Sequence, residues 1–203
     1  KNGYNNLAKL SSIAYTKGFY YVPRIDKTLV EKYKDDIIVL TGNLMGEVSN
    51  KILNIGQKNA EEALLWWKKI FKDDLYIEIM RHNQEDEDLV NKILIDFSRK
   101  HNIKVVATNN NYYKEKSEAD AHDILLCIKE GEKLSTPIGK GRGFRYGLPN
   151  QQYYYKSSDE MKELFYDLPE AISNIIEVVN KIEEYTLSNQ VLLPKFDIPP
   201  DFI

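Results

Sequence analysis

Apolar positions along this chain fall into short runs separated by polar turns, and their spacing changes from helix-like to strand-like repeatedly. Tyr4, Leu7, Leu10 and Ala14 recur at the three-and-four interval of one helix face, and Gly18 is a natural stop. Phe19 to Val22 reads as a short strand before Pro23, and Asp26 or Thr28 caps a short helix through Tyr33. Ile37 to Leu40 has the continuous apolar character of a buried strand. Beyond a turn with Gly42 and Gly46, helical material runs from Val48 to Ile55. A longer helix then carries Ala60, Ala63, Leu64, Trp67, Ile70 and Phe71 on one face.

The alternation continues. Leu75 to Met80 is the next strand, and Leu89, Val90, Ile93, Leu94 and Phe97 mark the next helix. Ile103 to Ala107 follows as a strand, and a helix starting near Ser117 is expected to bury Ala121, Ile124, Leu125 and Ile128. Strands alternating with helices predict an α/β fold with a mainly parallel sheet or barrel. The pattern breaks at Gly131, and residues 139–147 form a glycine-rich basic loop. Tyr153 to Tyr155 is a candidate strand. Ser158 is the expected cap of a helix containing Met161, Leu164 and Phe165. Pro169 opens another, with a stripe of Ile172, Ile175, Ile176, Val179 and Ile182. The tail from Leu193 reads as an extended arm, and both ends of the chain read as cut.

Composition narrows the class. The 203 residues can bury a core, and 42% hydrophobic with 29% charged residues is ordinary for a globular domain. A net charge of -3 gives no long-range pull on nucleic acid, so any such contact needs a local basic patch. Cys127 is the sole cysteine, which excludes a disulfide framework and points to a reducing, cytoplasmic setting. No apolar run approaches the roughly 20 residues that cross a bilayer, so no membrane partner is expected.

In parallel α/β folds chemistry gathers in the loops after the carboxyl ends of strands. That rule selects Thr41 to Glu47, Arg81 to Asn83 and Thr108 to Tyr113. A metal-dependent hydrolase needs imidazole, carboxylate or thiolate groups converging there. The loops offer Asn43 and Asn110 instead, and a neutral carboxamide is a weak ligand for zinc or manganese. His82 alone is of the right chemical kind, and a solitary histidine at a strand end is more often structural. Arg81, His82 and Asn109 are expected to line a cleft; no catalytic residue is identified. Lys140, Arg142 and Arg145 are candidate phosphate contacts, weighed against a solvated, mobile loop. Tyr153 to Tyr155 are candidates for base stacking, weighed against a half-buried strand. Cys127 is expected to be an inert buried thiol.

The same segments resemble a known family. Gly3-Tyr4-Asn5-Asn6-Leu7, Ala14-Tyr15, Gly18 to Tyr21 and Pro23-Arg24-Ile25-Asp26 are similar to motifs of the bacterial DNA polymerase III alpha subunits. So are Leu40 to Glu47, Glu78 to His82, Ala107 to Tyr113, Ala121 to Ile128, Lys156-Ser157, Asp167 to Ala171 and Leu193 to Phe196. The resemblance implies a partial barrel of the PHP (polymerase and histidinol phosphatase) type, followed by a helical segment. Residues 1–130 would be the later part of that domain, residues 131–157 a basic connector, and residues 158–203 the approach to the polymerase palm.

The departures carry as much information. In metal-binding members of this family, a cysteine, an aspartate and a histidine serve as ligands where this chain has Asn43, Asn110 and Tyr112. The resemblance therefore implies a vestigial metal site and no cofactor in this segment. The parent would be a DNA-directed DNA polymerase using magnesium, with primer-template DNA, a proofreading exonuclease subunit and other replicase subunits as partners. The segment alone would be inactive, structural or subunit-binding. The competing readings are a PHP phosphoesterase or 3'-5' proofreading exonuclease that keeps metals through unusual ligands, and an unrelated α/β binding module.

Overall fold

A computed structural model of the chain describes residues 1–187. The arm expected from Leu193 lies outside the described residues. In order, the elements are α1 (Asn2–Thr16), α2 (Lys27–Lys32), β1 (Val39–Leu40), α3 (Glu47–Asn54), α4 (Gln57–Phe71), β2 (Leu75–Ile79), α5 (Glu85–His101), β3 (Val105–Ala107), α6 (Ala119–Glu130), α7 (Ser158–Leu164) and α8 (Pro169–Asn180). The three strands form one parallel sheet in the order β1-β2-β3, with Leu40 opposite Tyr76 and Glu78 opposite Val106. Helices α3 and α4 make the first crossover and α5 the second, as parallel pairing requires. The expected partial α/β barrel pattern is present in this sheet and its helices.

Local chemistry explains most boundaries. Asp26 rather than Thr28 caps α2, its carboxylate accepting the Leu29 N–H at 2.8 Å. Helix α5 has Glu85 to Asp88 in its first turn and Arg99, Lys100 and His101 in its last, the arrangement its dipole favours. It ends on Asn102 at φ 50°, and α6 ends on Gly131 at φ 69°. Helix α7 is capped by Ser157, not Ser158. Ser157 and Glu160 exchange hydrogen bonds in a reciprocal box, which only the three-residue spacing from Ser157 allows.

The central strand β2 is buried along nearly its whole length, and Leu64, Phe71, Ile77, Leu94, Phe97 and Phe165 pack in one core around the sheet. Helix α8 lies against β3. Three polar ties fix it there: Asn174 Nδ2 to the Val105 carbonyl at 2.8 Å, Tyr76 Oη to Glu177 at 2.7 Å, and the Lys104–Glu177 ion pair. The helical segment and the sheet thus share one core.

Four expectations need correction. Phe19 to Val22 makes a tight turn with one antiparallel bridge, Tyr20 to Val22, because Tyr21 takes a left-handed φ of 61°. Tyr153 to Tyr155 is held by a single parallel bridge from Tyr154 to Tyr113 and is no strand. Helix α6 buries Cys127 but leaves Ile124, Leu125 and Ile128 exposed, since its inward link is polar: Asp123 grips Arg145. On α8, Ala171 is buried and Ile172 packs on the core, while Ile176, Val179 and Ile182 stay exposed.

Candidate functional site

The carboxyl ends of the strands are cross-linked before any side chain reaches outward. The Thr41 N–H donates to the Tyr76 carbonyl and the Thr108 N–H to that of Ile79, both at 3.1 Å, extending the sheet pairing by one residue. Glu78 on β2 joins the neighbouring ends: its N–H donates to Thr41 Oγ1 at 2.9 Å, and its carboxylate accepts from Thr108 Oγ1 at 2.5 Å.

The loop after β1 closes on itself. Asn43 is exposed, and its Oδ1 accepts the Met45 N–H at 2.9 Å, so the amide oxygen serves a local turn. Gly46 has to be glycine, because a Cβ there would stand 2.3 Å from the Thr41 carbonyl oxygen. Glu47 follows as a node, accepting from Lys27 at 2.9 Å and from Trp67 Nε1 at 2.8 Å, with Lys51 at 3.3 Å. Burial pushes the Glu47 carboxyl upward, but those donors outweigh it and hold it below its usual value.

The loop after β2 supplies the most deeply buried polar side chain among the described residues. His82 is fully buried. Its Nδ1 lies 2.8 Å from Glu87 Oε1, and its own N–H donates to Glu87 Oε2 at 2.5 Å. On the far side of the ring, Nε2 accepts the main-chain N–H of Asn110 at 3.2 Å. Those partners fix the tautomer with the proton on Nδ1. Tyr153 stacks on the imidazole with ring centres 4.5 Å apart and planes 5° apart, and Asn150 Nδ2 donates to the His82 carbonyl at 2.6 Å. Burial first, and then the charge of Glu87, push the Tyr153 phenol up to about 12, so it stays protonated beside Gln84, whose Nε2 donates to it at 2.6 Å.

Arg81 faces the helical segment. Its guanidinium grips Asp167 with two bonds of 2.6 and 3.0 Å, donates to the Leu164 carbonyl at 2.7 Å, and lies over the Phe165 ring at 4.7 Å. This fork holds the Asp167 carboxyl below the usual range. Arg81 also lines a shallow open groove of about 550 Å³ with Asn83, Asp88 and Arg99, away from the His82 ring.

After β3, Asn109 meets the segment 150–156, while Asn110 meets His82. Asn109 Nδ2 donates to the Tyr154 carbonyl at 2.9 Å, and its Oδ1 accepts from Lys156. Asn110 acts through its main chain, on His82. Tyr112 is half exposed; its N–H donates to the Tyr153 carbonyl, and its ring stands against Tyr153 and His122. Segment 150–156 is therefore a strap laid across the strand ends. The cavity between Asn43, Glu78 and Glu87 is about 10 Å³, the room of one water.

These residues do not fit a transition-metal centre. Asn43 spends its oxygen on a turn, Asn110 presents an N–H, Tyr112 points among aromatic rings, and both nitrogens of His82 are occupied by protein groups. Among the described residues, no three His, Cys, Asp or Glu side chains are grouped to hold an ion.

In the basic loop the three cations part company. Lys140 and Arg142 are exposed, between Gly139, Gly141 and Gly143, the last two at φ near 90°. Arg145 contradicts the expectation of a phosphate contact. It is 5% exposed and bound to Asp123 through 2.6 and 2.7 Å bonds, with Nε donating to the Thr136 carbonyl at 2.8 Å. A guanidinium so buried and paired is not presented to a ligand; it anchors the loop, and it keeps the Asp123 carboxyl below its usual range. Sequence reading missed Glu87 and Lys156, and offered Tyr153 for base stacking or a strand where it stacks on His82. Glu87 lies five residues after His82 in an acidic first turn, where its function looks like helix capping alone.

The parallel sheet with its strand-end loops is an α/β arrangement, and residues 1–82 match the PHP domain family model, which gives that part of the chain its class. The chain is 38% identical over 201 residues to DNA polymerase III subunit alpha of Borreliella burgdorferi, covering 98% of this chain and 17% of that protein. It is 40% identical over 211 residues to that of Campylobacter jejuni, covering 98% and 16%, and 34% identical over 213 residues to that of Helicobacter pylori, covering 100% and 17%. The chain belongs by sequence to the family of DNA polymerase III alpha subunits, and spans about a sixth of the length of these relatives.

Proposed function

We propose that this chain is a non-catalytic, structural and subunit-binding segment of a replicative DNA polymerase. In this reading residues 1–130 belong to its PHP domain, residues 131–157 connect, and residues 158–203 lead toward the polymerase body. The parent synthesises DNA on a primed template with magnesium in the cytoplasm, and the proofreading exonuclease subunit is the partner expected at the PHP domain. The observation that carries the non-catalytic reading is the occupied His82 ring: Glu87 holds one nitrogen, the Asn110 main chain the other, and Tyr153 covers the face. Held this way, His82 is not available to bind an ion or move a proton.

Metal analysis after dialysis against zinc or manganese, together with hydrolysis of a chromogenic phosphodiester, tests it. The expected result is substoichiometric metal and a rate equal to the metal-only control. Metal bound one-to-one with metal-dependent cleavage, lost in His82→Ala, would establish the phosphoesterase or exonuclease reading instead.

A second role is favoured by the Arg145 anchor, which holds Lys140 and Arg142 outward on a fixed turn. That turn is the chain's phosphate contact in this reading. Replacing Lys140 and Arg142 with glutamine is expected to flatten the slope of log affinity against log salt for primed DNA by roughly one to two units. An unchanged slope would return the loop to a solvated surface.

A further inference from the structure

Lys156 is an outlier among the lysines of this chain. It is 9% exposed, yet among the described residues it makes no ion pair with a carboxylate. Its ammonium is surrounded by neutral oxygen and π density: Asn109 Oδ1 at 3.2 Å, the Gln152 carbonyl, and the Tyr154 ring with its centre 4.6 Å away. Burial lowers its pKa; the charges of Glu160 and Glu87 oppose that from a distance, and Lys116 adds to it. Taking an ammonium out of water without a counter-ion is costly, so this shell has to return much of the lost solvation. Carbonyl oxygens with an aromatic face are what a weakly hydrated cation selects.

We propose that Asn109, Gln152 and Tyr154 form a cation-binding site for small ammonium ions, filled in this chain by its own Lys156, and that this tethered cation pins the strap to the strand-end loop. The geometry gives the pin its purpose. Asn109 is the neighbour of Asn110, whose N–H caps His82, and Gln152 is the neighbour of Tyr153, which stacks on the same ring. One charge thus joins the two segments that close over the imidazole. A hydrophobic replacement would keep the volume and lose both bonds to the oxygens.

The test uses the 203-residue chain with Lys156→Ala and Lys156→Met, unfolded in urea with and without n-butylammonium chloride. Sodium chloride at equal ionic strength and neutral butanol are the controls. Lys156→Met is expected to lose roughly tenfold in the folding equilibrium constant. Lys156→Ala should lose more and recover with saturable dependence on butylammonium, not on either control. The unaltered chain should show no saturable response. If Lys156→Ala is unfolded alone, recovery of folded signal by butylammonium supports the site, and no recovery overturns it. Lys156→Met as stable as the parent chain, or butylammonium acting equally on both chains, would also overturn it.

Discussion

Replacing Glu87 with alanine lowers the unfolding free energy by about 3–5 kcal/mol in urea titrations, the largest effect expected of any polar substitution here. The carboxylate is buried and satisfies two donors on one residue, the His82 N–H and Nδ1–H. Alanine removes both acceptor oxygens at once and leaves two buried donors without a protein partner. Glutamine retains one acceptor but turns an NH2 group toward the other donor, so Glu87→Gln falls between, at about 1–3 kcal/mol. The total stability of a domain this size is only about 5–15 kcal/mol, so Glu87→Ala sits near the edge of folding at room temperature. A loss below about 1 kcal/mol for alanine would mean that the imidazole is not held as described.

Phe165→Ala carries a comparable loss, about 3–5 kcal/mol, for a different reason. Its ring has no exposed surface and belongs to the same core as Ile77, Leu94 and Phe97. It is also the surface on which the Arg81 guanidinium rests while gripping Asp167. Truncation removes the buried ring and frees that guanidinium, so amide exchange should quicken in α7 and α8 before it does in β2. Phe165→Leu keeps most of the volume and costs about 1.5 kcal/mol or less. Uniform acceleration across the sheet in Phe165→Ala would show that α7 is not separately clamped.

The strand and helix alternation was legible from Ile37 to Ala107 because apolar spacing marks those elements, although the strand expected over Ile37 to Leu40 is only Val39–Leu40 and is not buried. Legibility fell where a polar contact chooses the buried face. Helix α6 has a convincing isoleucine and leucine stripe, yet Asp123 turns it toward Arg145, 22 residues away. The basic loop looked like three equivalent cations, and nothing in the spacing distinguishes Arg145 as the one that goes inside. At the strand ends, the neutral side chains at positions 43, 110 and 112 were readable directly. The partners that surround His82 and Asn109 were not, since Tyr153 and Lys156 come from a segment about 70 residues beyond His82 in the chain and enter through ring stacking and through the Lys156 side chain.

The bond from position 110 to His82 has a consequence for how such a segment drifts over generations. It is made by the peptide N–H, which every amino acid except proline provides. Selection on that cap therefore ignores the side chain, and codons there can wander freely. An acidic side chain placed at 110 would not by itself free the imidazole, because the peptide N–H would still occupy its Nε2.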